Sequence, residues 1–435
     1  MNPQAEELLK AQVALSDEQI VAGQLSAISK RVKKRPVVLF FGRNTFADNT
    51  KYLYLKAVSE KRDYQVEWCT VDAELATSLK KAGLPVHLIG KNMDASLDLL
   101  LHAAVAVFCV NPNESLKGSF ALTACLDGAK KLQLWHGVSV KHLLLTLIPH
   151  ISIRDLVNRR AWEFASRADY VLSTAATFDG YWRSVFGCKT LVRAGFPRNE
   201  VILREATQHE LIGCELPASM QKLLAGPQKK VLVVPTWQRE RPTWLTSEEC
   251  LVRLSQLGQQ KGITFFVKAH PTYQATGGDT HEIGGLQILN PGVDVYPLMR
   301  AFDALVTDYS SIQFDFLLTG KPVLSLDLKP GEHQSFEPDW SLVPNVEFRH
   351  RFTSQSFETR LHEALHADAL SEARREMCSK IFESEPLDAS PALLRLIGRL
   401  VKEATADDFS VDYCEDAPAL SELASGLTKS LTDAA

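Results

Sequence analysis

Two adjacent serines, Ser310 and Ser311, stand where a strand gives way to a helix, an arrangement that suits phosphate binding. The sequence DALVTDYSSIQFDF predicts a buried strand over Ala304–Thr307, a polar turn, and a helix with Ser310 as its N-cap. The first N–H groups of a helix are unpaired and lie at the positive end of its dipole, so they attract an anion. The alternative interpretation is a capped turn that binds nothing.

Two histidines follow predicted strands and could transfer protons. His136 ends the strand predicted at residues 131–135, and His270 follows the strand predicted at Ile263–Lys268. Imidazole titrates near neutral pH, and Gly137 leaves room for a substrate beside His136. A histidine satisfied at a strand end is the alternative for His136, and a structural His-Pro turn is the alternative for His270.

Five short fragments in a fixed order give these residues a context. They are LWHG at 134–137, AGFPRN at 194–199, VPTW at 234–237, KAHP at 268–271 and DYSSIQFDF at 308–316. In this order they resemble the CDP-glycerol glycerophosphotransferase family, whose best-known members polymerise glycerol phosphate in teichoic acids. The resemblance covers roughly residues 130–330, and five ordered matches are more specific than any one of them.

The resemblance implies a phosphotransferase. Such an enzyme moves glycerol phosphate, or a related polyol phosphate such as ribitol phosphate, from a CDP-activated donor to a hydroxyl and releases CMP. The acceptor would be a cell-surface glycan, a polymer or a lipid-linked molecule. His136 would be the base, and His270 would donate to the donor phosphates or to the leaving CMP oxygen.

The resemblance also implies a donor site, formed by Ser310, Ser311, Asp315, Thr236, Trp237 and Arg198. The serines would hold the pyrophosphate, and Asp315 would accept from a ribose hydroxyl or order the site, because a carboxylate repels phosphates. A solvated loop is the alternative for Arg198, and a core position is the alternative for Trp237. Gln238 stands where the family usually has an arginine, which leaves the charge balance of the site open.

The elements that must position these residues alternate between apolar strands and helix-period segments. Strands are predicted at 37–41, 66–70, 86–89, 105–110, 131–135, 170–173, 190–193, 230–234, 263–268, 286–289, 304–307 and 323–326. Helix-period segments such as 50–60 and 158–168 lie between them. This alternation predicts an α/β fold with parallel sheets covered on both faces. Two Rossmann-like domains facing a cleft, the GT-B arrangement, are what the resemblance implies.

Composition changes divide the chain into four predicted parts. These are a helical, basic lead-in over 1–35, an acceptor-side domain over 36–215, a nucleotide-donor domain over 228–400, and an acidic tail over 401–435.

Overall composition narrows the class of protein. The chain has 435 residues, 45% of them hydrophobic, and a formal net charge of −4, so nothing favours nucleic-acid binding. Its eight cysteines are scattered without metal-ligand spacing, and no clustered carboxylate motif occurs. We therefore expect a cytoplasmic enzyme without a cofactor or metal, whose activity survives chelation.

Two segments suggest contact with the inner face of the cell membrane. The basic run Lys30–Arg35 could attract anionic headgroups, and the apolar segment His142–Ile153 could rest at the bilayer interface. A buried helix is the favoured alternative for the apolar segment.

Two other functions remain open on the residues alone. One is a GT-B glycosyltransferase or nucleotide-sugar epimerase that uses a UDP- or CMP-sugar, and the other is a non-catalytic nucleotide-binding or scaffold protein. The pair of histidines favours an enzyme over the scaffold. Only the fragment resemblance favours the phosphotransferase over the sugar enzymes.

Overall fold

A computed structural model describes residues 17–43, 45–140, 167–236, 243–268, 281–329 and 338–406. Three of the sequence predictions fall outside these ranges: those for His270, for Trp237 and for the apolar segment His142–Ile153. Among the described residues, no helix is both long enough and apolar enough to cross a bilayer.

Seven parallel strands form the first sheet, in the order β3-β2-β1-β4-β5-β6-β7. They are β1 (Arg35–Phe41), β2 (Gln65–Thr70), β3 (Val86–Leu88), β4 (Ala103–Phe108), β5 (Lys130–Gln133), β6 (Tyr170–Ser173) and β7 (Thr190–Arg193). The central strands are continuous apolar runs because helices cover both faces of the sheet.

Seven further strands form the second sheet, in the order β10-β11-β9-β8-β12-β13-β14. They are β8 (Lys229–Val234), β9 (Ile263–Lys268), β10 (His281–Ile283), β11 (Leu286–Leu289), β12 (Ala304–Thr307), β13 (Val323–Leu326) and β14 (His350–Phe352). Of the strands that the structure describes in this sheet, β10 alone is antiparallel to its neighbour. The expectation of two parallel-sheet α/β domains is confirmed.

The helices that cover these sheets lie mostly between consecutive strands. Those of eight residues or more with printed bounds are Asp48–Ser59, Ala73–Lys81, Met93–His102, Asp179–Phe186, Ala218–Ala225, Glu248–Lys261, Phe357–His366, Ser371–Ile381 and Ala389–Ala406. A further helix occupies residues 17–29.

The strand predictions differ from the structure in two instructive ways. Strand β1 begins at Arg35 and not at Val37, and its register against β4 shifts between Arg35 and Val38, because Pro36 has no N–H to donate. The short strands β10 and β14 were not predicted, since three-residue strands rich in polar residues carry no apolar run.

The last described helix, Ala389–Ala406, crosses back to the first domain. Its apolar residues, including Leu393 and Ile397, join the same core cluster as Val38 and Phe40 of β1. The backbone N–H of Ser390 donates to a Glu200 carboxylate oxygen at 2.6 Å. The part of the chain predicted as the donor domain therefore ends on the first sheet, while its limits at 228 and 400 stay predictions.

The basic run at the end of the lead-in has two structural members. Lys34 is buried and donates to the carbonyl of Leu101 at 2.5 Å, and burial lowers its pKa to about 8. Arg35 belongs to β1 and forms a paired interaction with Asp98. Arg35, the last residue of the predicted lead-in, is thus part of a strand, and it is exposed together with Lys30, Arg31 and Lys33.

Candidate active site between the two sheets

His136 lies in a turn that follows β5, here called the histidine turn, residues 135–137. Trp135 and Gly137 both have positive φ, 56° and 130°, which is costly for a tryptophan. Two buried amide side chains hold Trp135 in this conformation. Gln133 accepts from the Trp135 N–H at 2.9 Å, and Asn49 donates to the Trp135 carbonyl at 2.8 Å.

The imidazole of His136 has one engaged nitrogen. Nδ1 lies 3.1 Å from the carbonyl of Cys109, which can only accept, so Nδ1 carries the proton and donates. Nε2 makes no hydrogen bond to any residue that the structure describes. Burial lowers the pKa of His136 to about 4, against the opposing effect of nearby Asp48, and Arg43 lowers it further. His136 is therefore neutral at pH 7, with the Nε2 lone pair available.

The two serines lie in a second turn, here called the serine turn, residues 308–311. The helix that follows runs over Ile312–Phe316, and its N-cap is Ser311 without a side-chain capping bond. The prediction of Ser310 as the N-cap is therefore wrong. Asp308 shapes the turn instead, because its carboxylate accepts from the N–H of Ser310 at 3.2 Å and from both the N–H and the hydroxyl of Thr236.

Both serine hydroxyls are left without a partner by this arrangement. Among the described residues, no hydrogen bond involves Oγ of Ser310 or Ser311, and both residues are partly exposed. Unused hydroxyls at the start of a helix are suitable donors for an anion. The hydroxyl of Thr236, by contrast, already donates a hydrogen bond to Asp308.

The histidine turn and the serine turn touch. A Cβ atom placed on Gly137 would lie 3.0 Å from Ser311 Oγ and 2.8 Å from Arg198 Nη2. Only a glycine permits this approach, both because of the missing Cβ and because of its positive φ. The first domain thus brings the histidine turn, and the second domain the serine turn, to one place at the carboxyl ends of the two sheets.

A buried ion network joins the domains beside this contact. Arg198 donates through Nη1 to Asp48 at 2.8 Å and through Nη2 to Asp315 at 2.6 Å. Asp315, which has no exposed surface, also accepts from Asn199 at 3.0 Å and from the Tyr296 hydroxyl at 2.8 Å. These contacts favour the ordering role for Asp315 over a ribose contact, and both terminal nitrogens of Arg198 are already used.

A second buried ion pair links the domains nearby. Lys51 Nζ lies 2.9 Å from an Asp294 carboxylate oxygen, which also accepts from the Tyr52 hydroxyl at 2.7 Å. Lys51 has no exposed side chain and Asp294 is almost as buried. Removing either partner would be costly, because the remaining charge would be left buried and unpaired.

A family model described as CDP-Glycerol:Poly(glycerophosphate) glycerophosphotransferase matches residues 24–329. The match spans most of the chain and includes the histidine turn, Arg198 and the serine turn. The chain belongs to this family.

Two curated relatives of this family member come from Bacillus subtilis strain 168. The teichoic acid poly(glycerol phosphate) polymerase is 27% identical over 208 residues, which are 44% of this chain and 26% of that protein. The teichoic acid glycerol-phosphate primase is 26% identical over 221 residues, which are 48% of this chain and 54% of that protein. The matched stretch thus spans between about a quarter and about half of these relatives.

Solved structures agree with the fold of this family member. The wall teichoic acid polymerase TagF superposes with a TM-score of 0.64 at 17% identity, covering 93% of this chain and 99% of that one. An S. aureus MnaA–UDP structure gives 0.54 at 14% identity, covering 85% and 97%. At these identities the likeness concerns the fold alone.

Several residues of this family member were missed by the sequence predictions. Asp48, Asn49 and Lys51 begin the helix after β1 and reach the site, and a signal existed in the polar run DNTK just past a strand end. Lys268 ends β9. Its pKa is lowered because burial outweighs the opposing effects of Asp294 and Asp48. Among the described residues, no three histidine, cysteine or acidic side chains gather as metal ligands would, and the expectation of no metal stays a prediction.

Proposed function

We propose that this chain transfers glycerol phosphate, or a related polyol phosphate, from a CDP-activated donor to a hydroxyl and releases CMP. The observation that carries the proposal is the close approach of Gly137, the residue after His136, to Ser311. Membership of the glycerophosphotransferase family and the names of the teichoic acid relatives support the choice of donor.

The transfer makes one P–O bond and breaks another. The acceptor hydroxyl oxygen attacks the phosphorus that bears glycerol, and the P–O bond to CMP breaks so that CMP leaves as a phosphate monoester. Positioning and charge stabilisation contribute most of the rate in such a transfer. The remaining requirement is a group that accepts the hydroxyl proton.

His136 is the group we assign as the base. The bond from Nδ1 to the Cys109 carbonyl fixes the tautomer in which Nε2 accepts a proton. A pKa of about 4 would make a weak base, but the donor brings negative charge beside the imidazole, and such charge raises the pKa of a histidine. His136 would then gain basicity only when the donor is bound.

The serine turn is the part that we assign to the donor pyrophosphate. Hydroxyl hydrogen bonds to charged oxygens are roughly twice as strong as neutral ones. Thr236 and Arg198 would act mainly by holding the serine turn in place. Thr236 does so through its bond to Asp308, and Arg198 through its bond to Asp315. His270 and Trp237 keep their proposed roles as a phosphate or leaving-group donor and as a cleft wall.

A panel of activated donors tests the reaction class. The protein is incubated with a short glycerol phosphate acceptor and, in separate samples, with CDP-glycerol, CDP-ribitol and several UDP-sugars, and release of CMP or UDP is measured. We expect CMP from a CDP-polyol, with turnover unaffected by a chelator. Release of UDP alone would overturn the proposal and support a glycosyltransferase, whereas conversion of a UDP-sugar without release of UDP would support an epimerase.

The acceptor that we propose is a cell-surface glycan, polymer or lipid-linked molecule, met by a cytoplasmic enzyme at the inner face of the membrane. Arg31 and Lys33 support this peripheral contact because both are exposed beside the first sheet. Exchanging both for glutamine should weaken co-sedimentation with anionic vesicles at low salt more than at high salt. Equal binding by the two proteins would exclude this basic run as the contact.

A further inference from the structure

A cavity of about 560 Å³ opens at the end of the first sheet opposite to the candidate active site. Its lining comes from the amino ends of β5, β6 and β7 and from the end of the 17–29 helix. Five cationic side chains line it: Lys30, Lys130, Lys131, Arg167 and Lys189. Strands of four residues separate this cavity from the histidine turn by about 13 Å or more.

Two of these cations are engaged by residues that the structure describes. Lys131 pairs with Asp127 at 2.7 Å, and Lys30 donates to the Ser26 hydroxyl at 2.9 Å. The side chains of the other three, Lys130, Arg167 and Lys189, form no hydrogen bond or ion pair with any described residue. In a chain with a formal charge of −4, three cations around one cavity that lack a partner among the described residues are a local excess of positive charge.

The two carboxylates in the cavity do not neutralise that excess. Asp127 accepts from Lys131 and from the Ser26 hydroxyl at 2.7 Å. Asp169 accepts from the backbone N–H of Lys131 at 2.8 Å. Both are held by the fold, and each retains lone pairs that can accept from a hydroxyl group.

We infer that this cavity binds a phosphodiester of a polyol phosphate chain, at a site separate from the cleft. The three free cations meet the phosphate oxygens, and the carboxylates accept from the polyol hydroxyls. A concave pocket of this size can receive a flexible chain from solution. The flat surface of a bilayer, by contrast, contacts the convex parts of a protein surface. The choice of glycerol phosphate as the chain rests on the proposed function, but the anion site itself does not.

Binding of a soluble glycerol phosphate oligomer tests the inference. The full chain is first saturated with CDP so that the cleft is occupied, and oligomer binding is then followed by calorimetry. The test variant carries Lys130→Gln, Arg167→Gln and Lys189→Gln. The matched control carries Lys61→Gln, Lys91→Gln and Lys222→Gln, three exposed cations that also lack partners among the described residues.

We expect the test variant to bind the oligomer at least about tenfold more weakly, and the control to bind as the parent does. CMP release from CDP-glycerol with a short acceptor should be the same in all three proteins. Equal affinity in parent and test variant, or an equal loss in test and control variants, would overturn the inference. So would binding to phosphatidylglycerol vesicles without binding to the oligomer, which would assign the cations to lipid. A protein that binds the oligomer but releases no CMP would refute the proposed function alone.

Discussion

The histidine turn and the serine turn meet in one contact but are built on opposite principles. In the histidine turn, buried amides from Gln133 and Asn49 fix a left-handed Trp135, and Nε2 of the imidazole has no partner within the described part of the chain. In the serine turn, one carboxylate holds the backbone, and the hydroxyls of Ser310 and Ser311 bond to no residue that the structure describes. The first turn is defined by the hydrogen bonds that hold its backbone. The second is defined by hydroxyl groups that the described residues leave without a partner.

This difference separates two tasks. A base must keep one orientation towards the hydroxyl that it deprotonates, so strain at Trp135 is compensated by fully buried hydrogen bonds. An anion-binding site needs hydrogen-bond donors that have no partner in the protein. A donor that is already paired adds little binding free energy when a ligand arrives. Damage to the first turn should therefore change turnover, and damage to the second should change donor affinity.

The largest effect that the comparison predicts is for His136→Ala. Loss of the base should reduce kcat by about 10²- to 10⁴-fold, while the dissociation constant for CDP changes little. CMP release and calorimetry measure the two quantities. His102→Ala, a change on a surface helix, is the control and should leave both unchanged. A fully active His136→Ala protein would remove the imidazole from the mechanism.

The next largest effect is for Ser310→Ala combined with Ser311→Ala. Two lost hydrogen bonds to charged oxygens should raise the KM for the donor by about 10- to 100-fold, with a smaller change in kcat. Ser78→Ala, an exposed serine whose hydroxyl bonds to no described residue, is the control. A drop in kcat at unchanged KM would show that the two turns do not divide the work in this way.

A moderate effect is expected for Asn49→Ala, which leaves the Trp135 carbonyl unsatisfied. Relaxation of the turn should lower kcat by about tenfold at unchanged CDP affinity. Asn92→Ala is the matched control, because it removes a helix N-cap and costs about 1 kcal/mol of stability far from the site. If both variants lose stability and neither loses turnover, Asn49 supports the fold and not the base.

The smallest effect is a pH dependence of stability. The folded pKa of His136 is about 4, below the unfolded value of about 6.5. Between these values the unfolded state binds more protons, so the free energy of unfolding should fall as the pH falls through this window. The His136→Gln variant lacks this contribution and should show a shallower fall in urea titrations. Parallel curves for the two proteins would contradict the low pKa.

Much of the fold could be predicted because strand signals are local. Apolar runs such as Ala304–Thr307 and Ile263–Lys268 were assigned with the observed bounds, since a strand buried on both faces must be apolar throughout. The histidine turn and the serine turn both come directly after strand ends, which is why strand signals alone indicate that the two turns lie at the carboxyl edges of their sheets.

The side-chain contacts that complete the site could not be predicted from local sequence patterns. Arg198 and Asp315 are 117 positions apart, and neither residue carries a local sign of the other. The role of Asn49 depends on the left-handed conformation of Trp135, which sequence patterns do not predict for an aromatic residue. The N-cap was misplaced by one residue because Asp308, and not a serine, satisfies the turn.

The return of helix Ala389–Ala406 to the first sheet has a mechanical consequence. The backbone passes between the domains twice, once before β8 and once before this helix, so the easiest relative motion is a rotation about the line joining the two passages. Such a rotation would separate Lys51 from Asp294 and expose both charges to water. Rehydration of the two ions would offset part of the lost attraction, so the gap between the sheets could widen without unfolding either half.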